Sequence, residues 1–523
     1  MNATVVLDGS SAPPTLGDIL RVNGAVHAGR VALSFEGVDT TYSELLGASI
    51  RVANALRAEG LRRGDRVAIL AKNGLNFFEI LFGAAMLGVV VVPVNWRLTA
   101  PEIGFLIGDS GARVLFAGRE HAGLADEVTR DAKSAIFMIE LDGARAQGYA
   151  RWRDASDDKD RRDPITADMV TLQLYTSGTT GRPKGALLTH HSLNSVRVSQ
   201  PQAHWNHWTP TDICLVSMPL FHIGGIGTAL LSIYNGAHAI IIRDFTPETV
   251  FDHIERDGIT RLFLAPTAID ILLSHPRARS TDFARLGYIL YGSSTISVAM
   301  LREALSVFRC AFVQFYGMTE TSGAVVALSP EDHDPDRGER MRSAGKALHG
   351  VEVAILDEAG NRLSPNTVGE ISIRSQANML GYWSMPEATA ACLQPDGFLR
   401  TGDVGYLDEE GYLFISDRLK NLIITGGENV SPAEIEAVLC GYPNVVEAAV
   451  IGIPDARWGE AVNAVIVSDT GSAITEEDLR KWTRSKLAGY KVPKAFHFVT
   501  EIPKNPSGKV LHRQLREFYS SND

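Results

Sequence analysis

The sequence predicts an α/β protein: a large N-terminal part built on mostly parallel sheets, and a small α+β domain at the C-terminal end. Three observations predict it. From Thr41 to Phe315, apolar runs of strand length alternate with helical stripes, which is the pattern of right-handed βαβ units. Beyond Val351 the texture changes to short strands separated by Asp/Gly/Asn turns, the signature of an antiparallel sheet or small barrel. From Asp417 onward, helix and strand patterns recur in a stretch long enough for a small domain of its own.

Taken in order, Ser43 is placed to cap a helix whose Leu45, Val52, Ala53 and Leu56 share one face. Asp65–Leu70 reads as a buried strand, Phe78, Leu81, Phe82 and Ala85 as a second helical stripe, and Val89–Val94 and Arg113–Ala117 as further strands. The charged stretch Ser156–Pro164 is a loop leading to a strand at Met169–Leu174. Strands then recur at Ile213–Ser217, Ala239–Ile242, Arg261–Leu264, Gly287–Tyr291 and Ala311–Phe315, followed by Val351–Leu356, Gly369–Arg374 and Tyr412–Ser416. The C-terminal part has helices at Ser431–Cys440 and Thr475–Leu487, with strands at Val445–Ile453 and Ala461–Val467.

Composition narrows the function classes. A chain of 523 residues that is 45% hydrophobic and 21% charged is an ordinary globular protein with more than one domain. A net charge of −11 argues against a sequence-independent nucleic-acid binder. Cys214, Cys310, Cys392 and Cys440 are scattered and form no C-x-x-C pair, so a reducing, cytoplasmic setting without zinc or disulfides is expected. The longest apolar run, Ile80–Val92, is too short to span a bilayer.

The most informative stretch is Tyr175-Thr-Ser-Gly-Thr-Thr-Gly-Arg-Pro-Lys-Gly185. Gly178, Gly181 and Gly185 free the backbone to present N–H groups. Thr176, Ser177, Thr179 and Thr180 add hydroxyls, and Arg182 and Lys184 add positive charge. That is the chemistry of a polyphosphate cradle. It is not a Walker A loop, because Lys184 is flanked by Pro183 and Gly185.

These residues resemble the phosphate-loop signature of the adenylate-forming superfamily: acyl-CoA synthetases, peptide-synthetase adenylation domains and beetle luciferases. Four more stretches resemble that family's signatures in the same order. In Tyr316-Gly-Met-Thr-Glu320 the resemblance implies that Tyr316, Gly317, Met318 and Thr319 meet adenine and phosphate and that Glu320 holds Mg2+; one carboxylate suffices for a hard cation bound mainly by phosphate oxygens. Asp403 of Thr401-Gly-Asp403, with Arg418, is implied to hold the ribose hydroxyls. Gly426, Gly427 and Glu428 open the C-terminal domain and are implied to line a thiol tunnel. Lys509 matches the lysine that reaches the α-phosphate and the substrate carboxylate, where two anions must be brought together. Taken singly, each has an ordinary reading: Glu320 as a solvated loop residue, Asp403 as an Asx turn, Lys509 as a solvated lysine. Five in order do not.

The resemblance implies an AMP-forming acyl-CoA synthetase using ATP, Mg2+ and CoA. Its large N-terminal domain, residues 1–416, would comprise two α/β sheets and a small β-barrel. A hinge at 417–420, pivoting on Lys420, would join it to a mobile α+β lid, 421–523. His222 of Phe221-His-Ile-Gly-Gly225 is implied to gate the thiol. Gly225, Tyr291, Gly292, Gly317, Met318 and Ala324 are candidates with it for the acyl pocket, and Gly292, Ser293 and Ser294 form a wall where many relatives carry glycine or alanine. The expected substrate is a medium- or long-chain fatty acid, with an aryl, cinnamic-type or polycyclic acid as the alternative. A carrier protein loaded in trans is the rival acceptor, and a homodimer is compatible with the resemblance.

Overall fold

The computed structural model describes residues 14–130, 136–141, 148–176, 183–199, 203–294, 296–334, 338–418, 423–425, 428–455, 458–469, 474–487, 489–504 and 510–520. Two compact units divide the chain. One ends at Glu352 and also takes in Arg374–Leu399; the other comprises Val353–Ile373 and the chain from Arg400 onward.

The first unit contains two sheets. The seven-stranded sheet has the order Gly381–Tyr382, Lys184–Thr189, Val170–Thr176, Val90–Pro93, Arg66–Leu70, Val114–Ala117, Phe137–Glu140. Its last five strands run parallel, as the βαβ alternation requires, and the two at the other edge are antiparallel. The nine-stranded sheet has the order Lys346–Ala347, Gly323–Leu328, Ala311–Met318, Tyr288–Gly292, Arg261–Leu264, Ile213–Val216, His238–Ile241, Val31–Phe35, Val38–Thr41. Its Val31–Phe35 strand pairs in parallel with His238–Ile241, a partner about two hundred residues away that no local pattern announces.

Two expectations are corrected here, and one strand is added. The helix Tyr42–Ala58 is capped by Thr41, not Ser43: Thr41 Oγ1 accepts from the Glu44 backbone N–H while Glu44 accepts from the Thr41 N–H at 2.8 Å, a complete capping box. The glycine-rich motif is followed first by a strand that the sequence reading does not place. Lys184–Thr189 is a strand antiparallel to Val170–Thr176, and the helix follows at His190–Ser199. Tyr316–Met318 does not follow its strand but completes it, at the end of Ala311–Met318. The Ser156–Pro164 loop is held by an ion pair and a neutral hydrogen bond: Arg21 Nε pairs with Asp160 at 2.7 Å, and Asn54 Nδ2 donates to the Asp157 carbonyl at 2.8 Å.

The change of texture beyond Val351 is a curled four-stranded sheet, ordered Val351–Leu356, Gly369–Ser375, Phe398–Leu407, Leu413–Arg418. The C-terminal part is an α+β sandwich around the antiparallel pair Val445–Asp455 and Gly459–Ser468. Strand alternation buries both faces of that pair. Val450, Val462 and Ala464 pack with Ile435 and Leu439 of helix Pro432–Cys440 and Leu479 of helix Glu476–Arg484, whereas Ala449, Ile451 and Val465 pack with Leu515 of helix His512–Ser520. Among the described residues no helix is long and apolar enough to cross a membrane.

Candidate active site

The phosphate-loop motif occupies the connection of a β-hairpin. Thr176 and Lys184 face each other across its last register pair, with Tyr175 opposite Gly185. A Cβ at Gly185 would lie 2.6 Å from Gln173 Nε2, so a larger residue there would have to displace that amide. The intervening Ser177, Gly178, Thr179, Thr180 and Gly181 lie outside the described residues.

Glu320 sits on a single turn, Thr319–Thr321, between the antiparallel strands Ala311–Met318 and Gly323–Leu328. It is not a solvated loop residue: it is 5% exposed. Its Oε1 accepts from Tyr382 Oη at 2.8 Å and from Thr176 Oγ1 at 3.2 Å, and its carbonyl accepts from the Met379 N–H at 2.7 Å. Lys184 Nζ lies 5.0 Å from the centre of the Tyr382 ring. A buried carboxylate, a lysine and two hydroxyls are therefore gathered at the mouth of the phosphate hairpin.

Tyr382 has no counterpart in the sequence reading. It lies on Gly381–Tyr382, the edge strand laid against Lys184–Thr189 with Tyr382 opposite Ala186. The next residue locks it there: the Trp383 N–H donates to the Gly185 carbonyl at 2.8 Å, its indole donates to the Asp109 carbonyl at 2.9 Å, and the Arg66 guanidinium covers its ring at 3.4 Å. Burial and the nearby Glu320 charge push the Tyr382 phenol well above its ordinary range, so it acts as a donor to the carboxylate. The sequence carries only a faint signal, an aromatic pair after Gly381. Tyr382→Phe should lower ATP–pyrophosphate exchange about tenfold or more, the worth of one hydrogen bond to a charged group, with the loss concentrated in the Mg2+ dependence of the rate.

Neighbouring candidates take well-defined places. Gly317 faces Ala324 in the hairpin register and Met318 faces Gly323; a Cβ on Gly317 would stand 2.0 Å from the Gly323 carbonyl oxygen, so only glycine lets the strands close. Tyr316 is half-buried and Thr319 partly buried. Gly292 ends its strand, and Ser293 and Ser294 are exposed beyond it. Ser293 has φ +74°, a left-handed conformation that favours glycine.

His222 is the N-cap of helix Ile223–Tyr234, with its ring 4.5 Å from that of Phe221. Burial, aided by the Arg97 charge, pushes its imidazole down to about 4, so it is neutral at physiological pH. The loop leading to it is held by Asn73, also absent from the sequence reading. Its Nδ2 donates to the Met218 carbonyl at 3.1 Å, and its Oδ1 accepts from the Leu220 N–H at 2.9 Å. Gly225 packs against that loop, where a Cβ would meet the Pro219 carbonyl oxygen at 2.4 Å. Tyr291 is not on this side. Strand alternation turns Leu290 toward Trp205, Phe263 and Ala324, and Tyr291 toward Phe308, Phe312 and His333; its hydroxyl is 3.0 Å from His333 Nε2.

In the second unit, Asp403 stands within the strand Phe398–Leu407 rather than on a turn, buried, and opposite Arg418 in the antiparallel register. Gly402 just before it has φ +71°. Glu428 begins the strand Glu428–Val430, paired to Thr425. Lys420, Gly426, Gly427 and Lys509 lie outside the described residues.

Residues 20–383 match the AMP-binding enzyme family, and 434–509 match the AMP-binding enzyme C-terminal domain. The chain belongs to the AMP-binding enzyme family. It is an acid–thiol ligase of the AMP-forming kind, using ATP with Mg2+ and CoA as co-substrate. It is 42% identical over 489 residues, 93% of each chain, to the fatty acid–[acyl-carrier-protein] ligase ScoC of Streptomyces coeruleorubidus. To the feruloyl-CoA synthase of an Amycolatopsis species it is 39% identical over 509 residues, 95% of this chain and 97% of that one. The crystal structure of ATP-bound MatB from Rhodopseudomonas palustris superposes with a TM-score of 0.89 at 31% identity, covering 97% of this chain and all of that one.

The site fits what such an enzyme must hold. A triphosphate needs N–H groups, hydroxyls and a cation, and Thr176 and Lys184 stand at the two ends of the hairpin connection. Glu320 is a single buried carboxylate set between them and Tyr382, and a magnesium ion carried by phosphate oxygens asks for little more from the protein.

Proposed function

We propose that this ligase activates a medium- or long-chain fatty acid, first as an acyl-adenylate and then as the CoA thioester. The observation that supports the reading most is the Thr176–Glu320–Tyr382 cluster at the mouth of the phosphate hairpin. In the first half-reaction a substrate carboxylate oxygen attacks the α-phosphorus of ATP, the bond to the β-phosphate bridging oxygen breaks, and pyrophosphate leaves. In the second, the CoA thiol gives up its proton, its sulfur bonds to the acyl carbon, and AMP leaves with the electron pair. Dividing the synthesis through a mixed anhydride makes two accessible steps of one difficult one.

The roles are those that the family resemblance implies. The hairpin, 176–184, holds the β- and γ-phosphates. Mg2+, when bound at Glu320, spreads the charge of the departing pyrophosphate. Tyr316–Thr319 and Gly292–Ser294 receive the base, Asp403 and Arg418 the ribose, and Lys509 the α-phosphate. His222, Gly225, Gly317, Met318 and Ala324 border the acyl group, while Tyr291 supports the sheet from its other face.

The same site serves both half-reactions, so we place a hinge at 417–420, with residues 421–523 as the lid that turns between them. Lys420→Pro is expected to leave ATP–pyrophosphate exchange near the wild-type rate and to lower thioester formation by about 10²-fold or more. Equal loss of both would remove the hinge from this position. The reading as a whole is tested by AMP release with a panel of carboxylic acids in the presence and absence of CoA. A second reading has its own support: similarity to an acyl-carrier-protein ligase favours a phosphopantetheine-bearing carrier protein as acceptor. Supplying each acceptor to pre-formed acyl-adenylate separates the two.

A further inference from the structure

The phosphate hairpin is tied to its surroundings by residues that the proposed chemistry does not use. Tyr175 immediately precedes Thr176, Gly185 immediately follows Lys184, and the two face each other in the hairpin register. Both are tied to one residue of helix Ala100–Ser110. The Tyr175 hydroxyl donates to Asp109 Oδ2 at 2.5 Å. Trp383 makes the other tie: its backbone N–H donates to the Gly185 carbonyl at 2.8 Å, and its indole N–H donates to the Asp109 carbonyl at 2.9 Å.

A second set of contacts joins the two ties. Arg66 Nε donates to Gln173 Oε1 at 3.0 Å, Gln173 Nε2 donates to the Tyr175 hydroxyl at 3.0 Å, and the Arg66 guanidinium lies 3.4 Å over the Trp383 ring. Gln173 is buried, and both ends of its amide are used. The phenol therefore accepts on one side and must turn its own proton to Asp109. Partial burial and the Asp109 contact push that phenol well above its ordinary range, so the proton stays on Tyr175. Asp109 itself stands in the last turn of its helix, where a negative charge opposes the helix dipole. Its own helix gains nothing from the carboxylate; the hairpin does.

We propose that Asp109, Tyr175 and Trp383 form a clamp on the two ends of the phosphate hairpin, which makes Asp109 a positioning residue for ATP, acting through Tyr175 rather than on the nucleotide. This rests on the reading of the hairpin as the holder of the β- and γ-phosphates. A binding site is only as exact as the residues that support it. With the clamp in place, Thr176 and Lys184 are set before the triphosphate arrives, and less of the binding free energy is lost in ordering them. Asp109 is exposed, and water competes for its hydrogen bonds, so moderate effects are expected.

Equilibrium titrations of the full-length enzyme with MgATP and with AMP test the assignment, because AMP lacks the two phosphates assigned to the hairpin. Asp109→Ala is expected to raise the Kd for ATP about fivefold to tenfold, the order of one hydrogen bond to a charged group, while the Kd for AMP stays within about twofold. Asp109→Asn keeps an oxygen for the phenol and should return the ATP value to within about threefold of wild type. Tyr175→Phe should match Asp109→Ala, and the double variant should be no weaker than either, because partners in one contact do not add. Equal weakening of ATP and AMP in both single variants would overturn the clamp, as would an unchanged Kd for ATP or additive losses in the double variant. Lys184→Ala is the reference and should weaken ATP at least as much as Asp109→Ala. If it left ATP binding unchanged, the phosphate role of the hairpin would itself fall, and this assignment with it.

Discussion

Lys509→Ala is expected to lower ATP–pyrophosphate exchange by about 10³-fold or more, the scale found when a preorganised charge is removed from a developing anion, while hardly affecting the conversion of supplied acyl-adenylate to thioester. The first half-reaction drives a carboxylate against a polyphosphate. Both are anions, and the pentacoordinate transition state gathers more negative charge at the α-phosphate than either ground state carries there. In the proposed arrangement Glu320 and Lys184 serve the leaving pyrophosphate, so neither would replace a cation at the reacting phosphorus. The second half-reaction has no such requirement: a thiolate attacks an acyl carbon and AMP leaves as a stable anion. A split between the half-reactions is therefore the diagnostic result. If both fell together, Lys509 would be serving the fold or the lid rather than the α-phosphate, and a parallel thermal melt would show which.

Glu320→Gln should cost about 10²- to 10³-fold in the same exchange assay, by removing an electrostatic contribution rather than a shape. The glutamine is isosteric, and its amide oxygen can still accept from Tyr382 Oη and Thr176 Oγ1, which approach Oε1 at 2.8 and 3.2 Å in the native site. What disappears is the negative charge. The expected signature is a higher Mg2+ concentration for half-maximal rate, with part of the lost activity recovered as the ion is raised. An unchanged Mg2+ dependence would leave Glu320 as a structural anchor of the Thr319–Thr321 turn. Because the variant keeps both hydrogen bonds, its melting temperature should stay close to that of the wild type, which separates this outcome from unfolding.

The placement of the individual elements shows where sequence reasoning succeeds and where it stops. The alternation between Thr41 and Phe315 yields strands at Arg66–Leu70, Val114–Ala117, Arg261–Leu264 and Tyr288–Gly292, because a strand buried on both faces is a short apolar run whatever surrounds it. Lys184–Thr189 escapes that logic. It follows a glycine-rich loop and begins with a lysine, and only its pairing with Val170–Thr176 makes it a strand. Asp403 looks like a turn residue beside Gly402, yet the neighbouring Leu413–Arg418 draws it into a ladder. Tyr291 reads as a pocket residue from its place before Gly292, whereas its side chain joins Phe308 and Phe312 on the opposite face of the sheet; a period-two alternation leaves open which face is which until the sheet has partners.

By itself the sequence determined the family, the chemistry of the phosphate motif and the alternation that makes the sheets, since each is written in residues close together along the chain. Tertiary structure decided what completes the site. It brought Thr176 and Tyr382 to Glu320 from 144 and 62 residues away, set Asn73 under the loop that carries His222, and joined Tyr175 to Asp109 across 66 residues. The physical reason is the reach of each interaction. Propensity, capping and turn chemistry act within a few residues, whereas the burial and pairing of a charge depend on which strands become neighbours, and sheet order is settled by the packing of the whole core.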